Sequence, residues 1–202
     1  WSPSGATRRS ALGLMLGATL LSARPIVLFA RFVLTGLICL AATALSGTAF
    51  TTLLSGRGDW LGTVTLLPDG LPFHALLGLG GWLGLIAIGV SYRLFIMFMM
   101  APEPPARRVR PVLLFASLGL ALAFAGLMAP FAGIETGAGW IAATLVVLIM
   151  AGLCYGRDIH ALYRARRRKA LEINMRASIP AFVALGLGLA GLPVAIVAHA
   201  GD

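Results

Sequence analysis

Five stretches of this chain are long, almost wholly apolar and nearly free of charge, and they alternate with connectors that hold most of the ionisable residues. They cover residues 26–47, 71–101, 112–133, 138–155 and 179–199. A helix rises about 1.5 Å per residue, so roughly 20 apolar residues cross a hydrocarbon core of about 30 Å. The second run exceeds that length by about ten residues and is expected to cross with a tilt. These runs exclude a soluble domain: 59% of the chain is apolar and 11% charged, with a mean hydropathy of +0.93, against roughly 25% charged in ordinary soluble domains. Spanning strands are excluded as well, because no stretch of about ten residues alternates apolar with polar. The expected fold is all-α, one polytopic transmembrane helix bundle over residues 1–202 with about five spans.

The connectors predict the orientation. Arg8, Arg9 and Arg24 precede the first run, Arg107, Arg108 and Arg110 follow the second, and Arg157, Arg164, Arg166, Arg167, Arg168, Lys169 and Arg176 follow the fourth. The opposite connectors hold Arg57 with Asp59, Asp69, Glu135 and Asp202. Thirteen loop cations against one put the amino terminus in the cytoplasm and the carboxyl terminus in the periplasm, with residues 156–178 as a basic cytoplasmic loop. Arg31 and Arg93, near cytoplasmic ends of their runs, can snorkel to the interface. Topology thus accounts for the net charge of +9, and nucleic acid is not an expected partner. Cys39 and Cys154 form neither a disulfide framework nor a zinc set. The short apolar segment 11–22 lies between arginines within an amino-terminal segment, 1–25, expected to be cytoplasmic or interfacial, and reads as an interfacial or re-entrant helix. A start at Trp1 rather than Met is expected of a portion of a longer protein.

The second run is the most specific part of the sequence. His74, Gly78, Gly81, Gly89 and Tyr92 recur at spacings of four, three, eight and three, which places them broadly on one side of a helix. A histidine in the outer half of a membrane helix, with glycines making room for a flat macrocycle, is a candidate axial ligand for haem. The same residues equally describe a glycine helix-packing face and a histidine hydrogen-bonded at the interface.

From His74 to Phe98, followed by Ala101 and Pro102, the sequence resembles bacterial membrane proteins related to haem-copper cytochrome oxidase subunit I. Their helix reads approximately His-Ala-His-Leu-Gly-x-x-Gly-Trp, then Gly-Val-x-Tyr-x-Leu, then Pro-Met-Phe. His74, Gly78, Gly81, Trp82, Gly89, Tyr92, Leu94, Met97 and Phe98 match, whereas Leu76 replaces the second histidine and Ile96 the proline. The segment from Tyr155 to Lys169 is also similar to the equivalent loop. The resemblance implies the carboxyl-terminal portion of such a protein, in the bacterial inner membrane, beside other integral subunits of a respiratory or other electron-transfer complex. It also implies His74 as the ligand of one b-type haem, with Gly78, Gly81 and Tyr92 on the same face. A haem-copper centre needs at least four histidines, and this chain has three, His74, His160 and His199, so dioxygen reduction by the chain alone is not expected. His74 and His199 share the outer face, which leaves a bis-histidine haem open.

Other features carry broader expectations. Arg164, Arg166, Arg167, Arg168 and Lys169 form a candidate contact for anionic lipid or a partner, at roughly 1 kcal/mol per cation near an anionic surface. Gly119 with Ala123, and Gly186 with Gly188, predict close helix contacts. Phosphate-loop and Ser-His-Asp patterns are absent from the sequence. Beside the electron-transfer subunit stand two alternatives, an accessory scaffold without cofactor and, last, a small-solute transporter, for which Pro193 is the one hint of a broken helix.

Overall fold

A computed structural model describes residues 28–56 and 66–167, with backbone alone at 66–69, and the helical positions Pro180 and Ala184. Apart from those two positions the fifth run lies outside the described residues, as do the segment 11–22, Arg168, Lys169, Gly186, Gly188, Pro193 and His199. Among the described residues every regular element is a helix. Helix α1 is Leu28–Leu54. Helix α2, Leu66–Ala75, runs through a π-helical stretch, Leu76–Gly84, directly into α3, Leu85–Met99, so that the three form one rod. Helix α4, Ala106–Met128, ends in a 3-10 turn, Ala129–Ala132, and α5 is Ala138–Arg164. Leu28–Leu54, Gly70–Met99, Ala106–Ala132 and Ala138–Arg164 are each long and apolar enough to cross a membrane.

The helices outrun the apolar runs because charge ends a hydropathic stretch without ending a helix. Helix α4 begins at Ala106, ahead of its arginines, since Pro105 is extended (φ −63°, ψ 141°) and arginine is a good helix former. Helix α5 continues nine residues past Tyr155, carrying Asp158 and Leu162 on the buried side that already holds Ala151 and Tyr155. The rod ends in a Schellman turn in which the amide of Ala101 donates to the Ile96 carbonyl, with Met100 left-handed at φ 49°. The 3-10 turn ends in the same way, but with Gly133 at that position.

Glycine sets how closely the rods approach. The π-helical stretch holds Gly78, Gly80, Gly81 and Gly84. Glycine is about 1 kcal/mol less favourable than alanine in an α-helix, so the α register is surrendered there at least cost. A Cβ on Gly81 would lie 2.6 Å from Cys39 Cβ, and one on Gly89 would lie 3.0 Å from Phe32 Cβ and 3.1 Å from the Phe29 carbonyl. From the other side, a Cβ on Gly36 would meet the Trp82 carbonyl at 3.3 Å. Helix α1 therefore lies against the backbone of the rod. The expected contact at Gly119 is present, with Leu148 of α5 filling the space over it, while Phe73 of α2 fills the space over Gly126. Trp140 Nε1 donates to the Leu122 carbonyl at 3.0 Å and pins α5 to α4.

The hydroxyls of α1, and of Ser55 just after it, turn back on their own helix. Thr35, Thr43, Ser46, Thr48, Thr51, Thr52 and Ser55 each donate to a carbonyl three or four residues back, at 2.7–2.9 Å.

Gly81→Ala should lower stability by about 1–3 kcal/mol, the usual cost of overpacking, because Cys39 Cβ cannot swing away. Gly80→Ala, with open space in front of it, should be neutral or stabilising. Thermal unfolding of the two variants in one detergent, followed by circular dichroism, checks the pair.

Candidate functional site

Polar side chains are buried at two levels of the bundle. The first surrounds His74 in the last turn of α2. Its Nδ1 lies 2.8 Å from Ser46 Oγ, its Cε1 rests 3.4 Å from where a Cβ on Gly47 would stand, and Phe50 is tilted against its ring at 5.3 Å. Ser46 Oγ also lies 2.9 Å from the Ala42 carbonyl and 3.1 Å from the Thr43 carbonyl. A hydroxyl has one proton and a carbonyl can only accept, so the Ser46 proton goes to the backbone, as in the neighbouring Thr43. The network therefore makes Nδ1–H of His74 the donor to Ser46 Oγ, which in the neutral ring leaves the lone pair on Nε2. That tautomer is the one in which Nε2 can ligate a metal while Nδ1–H holds the ring.

The glycines beside His74 face α1, and α1 already fills the space. Thr43 Cγ2 would meet a Cβ on Gly78 at 3.3 Å, and Cys39 with Leu120 closes over Gly81. Tyr92 also faces α1 but belongs to another level. Eighteen positions separate it from His74, roughly 25 Å along a helix. The structure thus gathers His74, Gly78 and Gly81 on one side of the rod and leaves Tyr92 with different neighbours.

Those neighbours form the second polar level. Tyr92 is fully buried, stacked on Phe29 at 5.4 Å and edge-to-face with Tyr155 at 5.3 Å. Its hydroxyl donates to Asp158 Oδ2 at 2.9 Å. Beside it Ser91 Oγ and the Tyr155 hydroxyl lie 2.5 Å apart. Asp158 is 2% exposed, and Arg157 Nη2 lies 3.6 Å from its Oδ1. The apolar-run reading missed this carboxylate because it follows the hydropathic edge of the fourth run and adjoins a basic segment. The signal was periodic: Ala151, Tyr155, Asp158 and Leu162 recur at four, three and four, one face of a continuing helix.

Of the basic segment, Arg164 and Arg167 are exposed. Arg166 folds back, donating from Nη1 to the Tyr163 carbonyl at 2.9 Å with its guanidinium 3.9 Å above the Tyr163 ring. The Arg167 amide donates to the Met99 carbonyl at 3.2 Å, which ties the chain after α5 to the end of α3. Among the described residues no three His, Cys, Asp or Glu side chains stand together as a metal set.

The architecture is a bundle of four apolar helical rods of membrane-crossing length, which fits a multi-pass membrane protein. No family model, no curated protein and no solved structure matches this chain.

A neutral interhelical hydrogen bond in a membrane protein is worth about 0.6 kcal/mol, and one to a charged group about 1.5–3 kcal/mol. A double-mutant cycle of Tyr92→Phe and Asp158→Asn should therefore give a coupling above about 1 kcal/mol. The same cycle on Ser91→Ala and Tyr155→Phe should stay below that, both read from thermal unfolding in detergent.

Proposed function

We propose that the chain is an integral subunit of a membrane complex and that its described helices act as a packing scaffold. The observation that carries this is the fit of α1 onto the glycine side of the rod, where Thr43, Cys39 and Phe32 occupy the space that Gly78, Gly81 and Gly89 leave. The glycines are thereby accounted for as a close helix contact, the commonest role of small residues between membrane helices. The partners in this reading are lipids and other integral subunits, which meet the exposed apolar faces that carry Leu45, Leu79, Val146 and Leu153. The charge of the connectors supports a bacterial inner membrane location with the amino terminus in the cytoplasm. Arg164, Arg167, Arg168 and Lys169 would then meet anionic lipid or a partner, with Arg166 held on Tyr163.

A second reading is favoured by the His74 tautomer. In it the chain is an electron-transfer subunit, like a truncated oxidase subunit I, and holds one b-type haem. The donor fits, since the neutral ring with Nδ1–H on Ser46 has its lone pair on Nε2, but the expected glycine cradle is occupied by α1. A haem there would supply one-electron transfer, and this chain's part would be ligation by His74 and orientation of its ring by Ser46.

The pyridine haemochrome spectrum of the purified chain, beside a His74→Ala variant and with intact-mass measurement, separates the two. The scaffold reading expects no haem in either sample. A b-type spectrum lost in the variant would overturn it in favour of the second.

A further inference from the structure

Followed from the ends opposite the α3–α4 turn, each rod runs without a fixed charge until it meets an arginine: Arg31 on α1, Arg93 on α3, Arg110 on α4 and Arg157 on α5. All four are exposed. The uncharged lengths that they close, 31–54, 70–93, 110–132 and 138–157, cover 19 to 23 positions. That is roughly 29–35 Å of helix, against about 30 Å of hydrocarbon in a bilayer.

Packing brings the four arginines to one level. Phe29 and Phe32, on either side of Arg31 in the chain, lie 5.4 and 6.0 Å from the Tyr92 ring, and Arg93 follows Tyr92. Tyr155 and Asp158, on either side of Arg157, meet the same Tyr92, one at 5.3 Å between rings and the other at 2.9 Å from its hydroxyl. For α4 the register comes from Leu120, whose Cδ2 lies 3.2 Å from where a Cβ on Gly81 would stand. Tyr92 is eleven positions past Gly81, and eleven positions back along α4, which runs the opposite way, is Val109, next to Arg110. The apolar runs leave Arg110 and Arg157 in connectors, whereas the structure carries both on helices.

A guanidinium at the edge of hydrocarbon needs an anion or water within reach. Among the described residues one carboxylate stands at this level, Asp158, and it is buried, with Oδ1 3.6 Å from Arg157 Nη2 on a side chain that is itself 63% exposed. Arg31, Arg93 and Arg110 form no ion pair with a described residue. Their helices expose Leu94 and Leu114 beside them, a surface suited to acyl chains. The four arginines also stand on four different helices. A protein partner would cover one or two outer faces, whereas a lipid leaflet surrounds the bundle at a single depth. Lipid phosphates match the guanidinium fork in shape and charge.

We propose that Arg31, Arg93, Arg110 and Arg157 form a girdle that binds the lipid phosphates of one leaflet and prefers lipids of net negative charge, in which no headgroup ammonium opposes the guanidinium. The proposal rests on the membrane-spanning reading and adds to it the depth of the bundle and the chemistry of its lipid partner. It also puts Tyr92 and Asp158 at the phosphate level, away from the bilayer centre where a carboxylate is hardest to hold.

Native mass spectrometry of the full chain in detergent, with equimolar phosphatidylglycerol and phosphatidylcholine of the same acyl chains, reads the preference. Arg31→Gln with Arg93→Gln should weaken it about fivefold for each arginine lost, the usual worth of a cation at an anionic surface. Arg164→Gln with Arg167→Gln removes the same charge about 9 Å farther out and should weaken it less. All four side chains are exposed, so the fold is not at stake. Equal losses from the two pairs, or no preference in the parent chain, overturn the girdle. Depth is the second measurement. Nitroxides on Leu94→Cys and Val146→Cys, both exposed positions, in a Cys39→Ala and Cys154→Ala background, are read in bilayers by power saturation with oxygen and a nickel chelate. Leu94 should report the phosphate level and Val146, eleven positions inside Arg157, the bilayer centre. Both nitroxides deep in hydrocarbon overturn the girdle alone, and both in water overturn the membrane-spanning reading with it.

Discussion

Backbone-to-backbone approach between α1 and the rod formed by α2, the π-helical stretch and α3 is the contact on which the rest of the bundle depends. In a bilayer the lipid tails are as apolar as leucine, so helices gain little by hiding leucine from lipid and must gain instead from close dispersion contact. Glycine allows that approach from both sides: Gly36 on α1 faces the Trp82 carbonyl, and Gly81 and Gly89 on the rod face Cys39 and Phe32. Once the backbones are this near, the aromatic side chains flanking the contact have defined places. Phe29 and Phe32 close over Tyr92 at one level, and Phe50 tilts against His74 at the other.

The two polar levels of this apolar interior are each tied across helices. His74 reaches Ser46 on α1, and Tyr92 reaches Asp158 on α5, so each polar level joins the rod to a different neighbour. An unmade hydrogen bond is far more costly in such surroundings than a made one is favourable. Partner choice therefore acts less as a source of stability than as a check on register: a slip of α5 along the rod would strand the carboxylate.

Much of this was legible in the sequence, for identifiable reasons. The four described rods follow from run length alone, and the contact at Gly119 from small-residue spacing. The common side of His74, Gly78 and Gly81 followed from helical period. What covers that side did not, because Thr43 and Cys39 are distant in sequence and nothing local in α1 announces its partner. Asp158 was obscured by charge: hydropathy counts Arg157 and Asp158 alike, while the fold exposes one and buries the other. The π-helical stretch was hidden too, since glycine clusters are equally compatible with several backbone periods. The hydrogen bond that fixes the His74 tautomer spans 28 positions, beyond the reach of any periodic reading.

The inward-turned hydroxyls of α1 bear on how such a bundle is made. Its six Ser and Thr side chains already donate to their own helix, so α1 can carry its polar groups into lipid without needing a neighbour to receive them. Insertion of this helix is thereby separated from its docking, and the span can reside in the bilayer before the glycine rod arrives. Ser46 is the hydroxyl that also receives a bond from outside, and that bond forms when the second step is complete.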